Sequence, residues 1–182
     1  MPAALAATMI ALYLPYLSVG WRVLGFLPNY VAEERLDSGA GFYLLNLAAN
    51  LSGWADLPAI LYIAVVVAVL ILLALILTFR SWRSEEGYLI GSLVLASAFM
   101  ILVTPHYPWY FLWLVPMLCF VPYMPMLFLT SASFVLYFAL ESRSPAMELM
   151  VNSLLYGSFL IAVIIHLCLP RLRAWISAFQ PG

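Results

Sequence analysis

Long apolar runs dominate this chain, and its polar residues fall in short clusters between them. The first run, Met1 to Gly20, is long enough to cross about 30 Å of hydrocarbon at ~1.5 Å per residue. Tyr13, Tyr16 and Trp21 near its end suit a membrane interface. Between Arg22 and Asp56 the pattern changes. Pro28 is placed to open a short helix, and Asp37-Ser38-Gly39 to close it. Leu27, Tyr30 and Val31 share one side of that helix and Asn29 and Glu33 another, as in an amphipathic helix on a membrane surface. Gly41 to Trp54 is apolar but too short to cross comfortably, which predicts a re-entrant or interfacial helix. Pro58 to Phe79 is the strongest span and is stopped by Arg80-Ser81-Trp82-Arg83-Ser84-Glu85-Glu86; Gly87 to Val103 returns. The two arginines of that short turn mark it as cytoplasmic.

Thr104 to Tyr110 is then an outer segment by parity. Phe111 to Val121 and Met126 to Leu140 read as two short helices joined by Val121-Pro122-Tyr123-Met124-Pro125, because Pro116, Pro122 and Pro125 disfavour one straight span. A single kinked helix is the alternative. Glu141 to Glu148 reads as a polar loop, and Leu149 to Leu169 as the last span, ended by Pro170-Arg171-Leu172-Arg173. The expected fold is all-α: residues 1–182 form a single transmembrane domain of about six crossing helices, one amphipathic surface helix and one re-entrant helix.

Composition supports this. Of 182 residues, 66% are hydrophobic and 8% charged, against about 25% charged in a soluble domain. So few charges cannot cover a water-facing surface, so lipid is the missing solvent. All seven basic residues are arginine, and the net charge is −1. That balance argues against nucleic acid as a partner. Cys119 and Cys168 lie in apolar runs without metal-ligand spacing and read as buried small hydrophobes.

Parity gathers the polar groups on the outer face: Arg22, Glu33, Glu34, Arg35, Asp37, Asp56, His106, Glu141, Arg143 and Glu148. The densest candidate site is Thr104 to Trp113. On an α-helix His106, Tyr110, Trp113 and Met117 would share one face, with Trp109 beside Trp113. Such rings form an aromatic belt or hold a sugar ring or polyprenyl chain. Tyr43, Asn46 and Asn50, at i, i+3 and i+7, form a polar stripe that Gly53 continues. It either bonds a neighbouring helix, with Gly53 allowing close approach, or lines a substrate groove. Arg22 either snorkels to headgroups or grips a lipid phosphate. Glu33-Glu34 reads as a solvated helix face, with a metal or base site as the alternative; Glu34 falls nearer the apolar side. His166 reads as a packing histidine. No metal site is predicted, though a divalent cation is left open.

The stretches Tyr13 to Gly20, Val23 to Tyr30 and Gly41 to Leu45 resemble the later half of multi-pass GT-C glycosyltransferases. The run Pro108-Trp109-Tyr110-x-x-Trp113-x-x-Pro116 is similar to that of the polyprenol-phosphate-dependent mannosyltransferases of glycosyltransferase family 87. The resemblance covers about Tyr13 to Phe138. It implies a membrane hexosyltransferase moving a sugar from a polyprenyl-phosphate donor to an acceptor on the outer face of a bacterial inner or plasma membrane. It implies donor contacts at Arg22 and His106 near the phosphate and at Tyr107, Trp109, Tyr110 and Trp113 along the sugar or lipid. The family's catalytic acid lies in an N-terminal outer loop that has no counterpart here, and it does not transfer to Glu33, Glu34 or Asp37. The expectation is therefore a C-terminal portion that works with a missing N-terminal half or a partner subunit, its catalytic residue unknown. The rival readings are a non-catalytic multi-pass subunit or scaffold and, less well supported without ionisable mid-span residues, a lipid or solute transporter.

The topology is testable. In a background with Cys119 and Cys168 changed to serine, a cysteine at position 106 should react with an impermeant thiol reagent added outside. Reaction only from the cytoplasmic side would invert the topology.

Overall fold

A computed structural model describes residues 2–25, 27–53, 58–81, 86–142 and 144–178. Trp54, Asp56, Trp82, Arg83, Ser84, Glu85 and Arg143 lie outside the described residues, as do the side chains of Trp21, Pro28, Pro170, Arg171 and Arg173. The protein is all-helical, and no strand occurs among the described residues. Among the described residues, four helical stretches are long and apolar enough to cross a membrane: Ala3–Gly20, Ala59–Phe79, Met124–Ser142 and Pro145–Leu169. Gly87–Val103 and Pro108–Phe120 are shorter apolar helices, so length and apolarity give four spans rather than the expected six or so.

α1 (Pro2–Tyr13) continues into a 3-10 stretch, Leu14–Leu24, that kinks at Gly20. None of the Ala3–Gly20 stretch is buried inside the protein. α2 (Leu27–Glu33) ends earlier than the sequence predicted. Turns take over from Glu34, where Leu36 N–H reaches back to the Val31 carbonyl at 3.0 Å. α3 (Tyr43–Ser52) spans about 15 Å at ~1.5 Å per residue, too short to cross. Gly53 closes it at φ +71° with its N–H on the Ala49 carbonyl. A Cβ there would meet nothing, so this glycine serves the left-handed cap rather than close helix packing.

α4 (Ala59–Phe79) and α5 (Glu86–Val103) pack as a pair. Tyr62 on α4 donates to the Leu102 carbonyl on α5 at 2.6 Å. The next element is a 3-10 helix, Pro108–Leu114, opened by Pro108. Its buried residues are Pro108, Phe111 and Leu114, one face at the three-residue period of a 3-10 helix. α6 (Val115–Phe120) follows, and the chain breaks at Val121-Pro122-Tyr123, as the prolines predicted. α7 (Met124–Ala132), a 3-10 turn (Ser133–Val135) and α8 (Leu136–Ser142) then run on as one stretch. That stretch has 19 residues, long enough to cross, where the sequence had suggested a short helix.

The predicted loop from Glu141 to Glu148 is mostly helix. α9 begins at Pro145 and runs 34 residues to Ala178, about 51 Å at ~1.5 Å per residue. Pro145 needs no N–H partner in the first turn, and Glu148 there faces the positive end of the helix dipole. The helix also passes Pro170, which was expected to end it. α9 packs on α7, α8 and α3. The buried core lies between these helices, α5 and the Pro108–Leu114 helix, and includes Met100, Phe111, Leu129 and Leu155. Cys119 and Cys168 are exposed, not buried. Exposed positions on helices this apolar are compatible with lipid, which a small thiol tolerates.

Phe111 has no exposed surface. Phe111→Ala should leave a cavity at the junction of α5, α7 and the 3-10 helix and lower stability by at least ~2 kcal/mol. Unfolding by sodium dodecyl sulfate in mixed micelles measures this.

Candidate functional site

One end of the bundle gathers polar groups from segments far apart in sequence. Glu34 follows α2, His106 lies between α5 and the 3-10 helix, and Glu148 opens α9. His106 Nδ1 lies 3.2 Å from Glu34 Oε2, and Nε2 lies 2.8 Å from Glu148 Oε1. Arg35 NH2 donates to both Glu148 oxygens, at 2.7 and 2.9 Å, and lies 2.9 Å from His106 Nε2. Tyr110 donates to Glu34 Oε1 at 3.1 Å, and its hydroxyl meets that of Tyr30 at 2.9 Å. The Glu34 side chain is 5% exposed and that of His106 12%.

Nδ1 lies against the Glu34 carboxylate, so the ring carries a proton there. Nε2 meets both an Arg35 N–H and the Glu148 oxygen: it accepts from Arg35 in the neutral ring and donates to Glu148 in the imidazolium. The proton between Glu34 and His106 has an acceptor on either side, which makes this pair an acid–base couple. The two carboxylates sit on opposite ring nitrogens and do not converge. Consistently, no group of three or more His, Cys, Asp or Glu side chains among the described residues is placed to hold a metal ion.

The backbone is forced locally. Arg35 has φ +53° and Thr104 φ +50°, left-handed values that β-branched threonine in particular resists. The Arg35 turn is fixed by Gly41 N–H and Ser38 Oγ, both donating to the Arg35 carbonyl. Gly41 has no alternative: a Cβ there would collide with the Glu34 carbonyl. Thr104 is fixed because Tyr43 N–H donates to its Oγ1 at 3.0 Å, joining the start of α3 to the end of α5.

Tyr43, Asn46, Asn50 and His106 line a single cavity of about 410 Å³, with Arg35 and Glu148 in the same wall. The polar stripe of α3 and the histidine segment therefore meet. A second cavity of about 210 Å³ shares Arg35, His106, Glu148 and Asn152. On the apolar side, a groove of about 600 Å³ runs between α4 and α5 up to Trp113 and Met117. Phe99, Met100 and Trp113 also line a small pocket that reaches Glu34, His106 and Tyr110. Lipid-facing groove and polar cluster are thus adjacent.

The aromatic residues are arranged by 3-10 rather than α geometry. His106 precedes the helix instead of sharing its face, and Tyr110 and Trp113 stand edge to face at 5.5 Å. Trp109 stacks on Tyr107 at 4.3 Å and is 46% exposed. Burial, reinforced by the carboxylates of Glu33 and Glu34, pushes the Tyr107 phenol above its ordinary range, so it stays a neutral donor. Arg22 is exposed and does not line the cavity; the arginine that reaches His106 is Arg35. Glu33 and Asp37 are exposed. His166 packs edge to face on Tyr123 at 5.0 Å.

The sequence reading placed Glu34, Arg35, His106 and Glu148 on one face but missed their pairing. The available signals were the apolar-side angle of Glu34 and the Pro145–Glu148 helix start. Compared with known proteins, the chain matches no family, no curated protein and no solved structure.

His106→Ala leaves the buried Glu34 Oε2 without its hydrogen-bond partner, and should lower stability by about 1–3 kcal/mol. Adding Glu34→Gln to His106→Ala should recover a large part of that loss. Equal stability of the single and double variants, measured by detergent unfolding, would show that the pair is not coupled.

Proposed function

We propose that this protein works in a membrane glycosyltransferase of the GT-C kind, contributing the site for a polyprenyl-phosphate sugar at the outer membrane face. The observation that supports the reading best is the small pocket at Glu34, His106 and Tyr110 that lies between a polar cavity and an apolar groove and shares residues with both. The cavity has the size of a small-molecule site. The groove is suited to an isoprenoid chain, which carries no polar group for a polar wall to satisfy. On this reading the sugar sits among Tyr43, Asn46 and Asn50, and the phosphate stays outside the cavity, beyond Arg35 and His106. The open faces of Trp109 and Trp113 guide the lipid. The shorter helices Gly87–Val103 and Pro108–Phe120 complete a bundle of about six crossings, the short ones ending where the site opens.

The catalytic role is narrower. Glu148 has both oxygens bonded to Arg35 and His106, which stabilises its anion and makes it a poor base. Glu34 has the same limit, with Oε2 on His106 and Oε1 on the Tyr110 hydroxyl, so the cluster serves to position the donor and the catalytic base is unassigned.

A second reading, an assembly subunit without chemistry, draws support from the Ala3–Gly20 stretch, which buries nothing against the rest of the chain. One experiment separates the two. Membranes carrying the protein at its native level are supplied with a polyprenyl-phosphate sugar, and transfer is measured per molecule of protein. His106→Ala and Trp109→Ala should each cut transfer at least ~10-fold, the usual scale for a lost acid–base or positioning group. Unchanged transfer per molecule, with only abundance or complex formation altered, favours the subunit.

A further inference from the structure

The hydrogen-bond directions inside the cavity define what it can hold. Asn46 Nδ2 donates to the Ala40 carbonyl at 2.9 Å, Asn50 Nδ2 to the Asn46 carbonyl at 2.7 Å, and Asn152 Nδ2 to the Glu148 carbonyl at 2.9 Å. A backbone carbonyl can only accept, so it fixes the orientation of each amide. All three asparagines line the cavity, and each spends one N–H on the backbone and keeps a second N–H and its carbonyl oxygen. Tyr43 likewise donates to Ser153 Oγ at 3.1 Å and keeps lone pairs. Asn152 supplies a second, independent sign of a ligand. Its side chain is buried, the residue being 5% exposed, and its Oδ1 has no hydrogen-bond partner.

We propose that this cavity binds an uncharged, hydroxyl-rich group through the side-chain amides of Asn46, Asn50 and Asn152, and selects it over phosphate or ammonium. A hydroxyl can donate to the asparagine oxygens and accept from the N–H groups that Arg35 has left beyond its bonds to Glu148. An ammonium finds acceptors but meets the Arg35 cation. A phosphate finds Arg35, but that cation is already neutralised by the Glu148 carboxylate, which repels a second anion. Neighbouring hydroxyls on one ring satisfy both kinds of wall group at once. Asn152 Oδ1 is covered, so a donor reaches it as the cavity wall yields slightly, and satisfying that acceptor favours the movement. The proposal rests on the cavity being a ligand site, as in the reading above, but not on any transfer reaction.

The test uses the full chain in lipid nanodiscs and three amphiphiles with the same tail: dodecyl glucoside, dodecyl phosphate and dodecyltrimethylammonium. Binding is followed by calorimetry. The glucoside should bind tightest. Asn50→Ala, at an exposed position that leaves folding intact, should weaken it roughly 3–10-fold, the scale of one neutral hydrogen bond. Asn152→Ala should weaken it at least as much, and neither change should weaken the phosphate. Equal affinity for all three heads, tighter binding of the phosphate, or glucoside binding indifferent to Asn50→Ala would each overturn the proposal. Should Asn152→Ala fail to fold, Asn50→Ala alone decides. Head-selective binding without any sugar transfer would keep this proposal and remove the transferase reading.

Discussion

The bonds from Arg35 to Glu148, and from Glu148 through His106 to Glu34, hold this end of the molecule together. They join the turn after α2 to the link before the Pro108–Leu114 helix, 71 residues on, and to the start of α9, 113 residues on. Apolar packing cannot set such positions in a membrane, because lipid tails solvate leucine as well as another helix does. A buried carboxylate can, because leaving Glu34 without its hydrogen-bond partner costs about 1–3 kcal/mol on the usual scale of an unsatisfied buried group. The core fixes which helices touch. The charged cluster fixes where their ends stand.

The backbone around the cluster follows from that requirement. Arg35 reaches Glu148 from a left-handed turn, and the turn exists because Gly41 and Ser38 both claim the Arg35 carbonyl. Thr104 takes the same unfavourable region and repays it by accepting the first free N–H of α3. Two strained non-glycine residues border the same cavity, where the surrounding bonds over-determine them. Strain of this kind persists where a geometry is needed that relaxed backbone does not provide.

The long spans were legible because lipid imposes a length and forbids mid-span charge, and both constraints are local in sequence. The break at Pro122 was legible for the same reason: proline acts within one turn of helix. The polar stripe of α3 was visible through its 3–4 spacing, but its meeting with His106 depends on how α3 packs against α9. The start of α9 was misread because Glu141 to Glu148 is polar, and polarity outweighed the helix-opening pair of Pro145 and Glu148. The aromatic face was misread because an α-helical period was applied to seven residues that adopt a 3-10 helix. Arg35 was invisible as a site residue, since nothing in its local sequence announces a left-handed backbone.

The same physics explains why the cavity lies where it does. α3 covers only about half the hydrocarbon thickness, and the Pro108–Leu114 helix gives way to other structure after two turns. Elements this short leave backbone groups near the membrane boundary that no intact helix ladder would satisfy. The Asn46 amide takes up one of them, the Ala40 carbonyl before α3. Asn152 adds a side-chain bond to the Glu148 carbonyl inside the α9 ladder. Each amide has two N–H groups and spends one on the backbone, so serving the fold leaves both a donor and an acceptor on the residues that line the cavity.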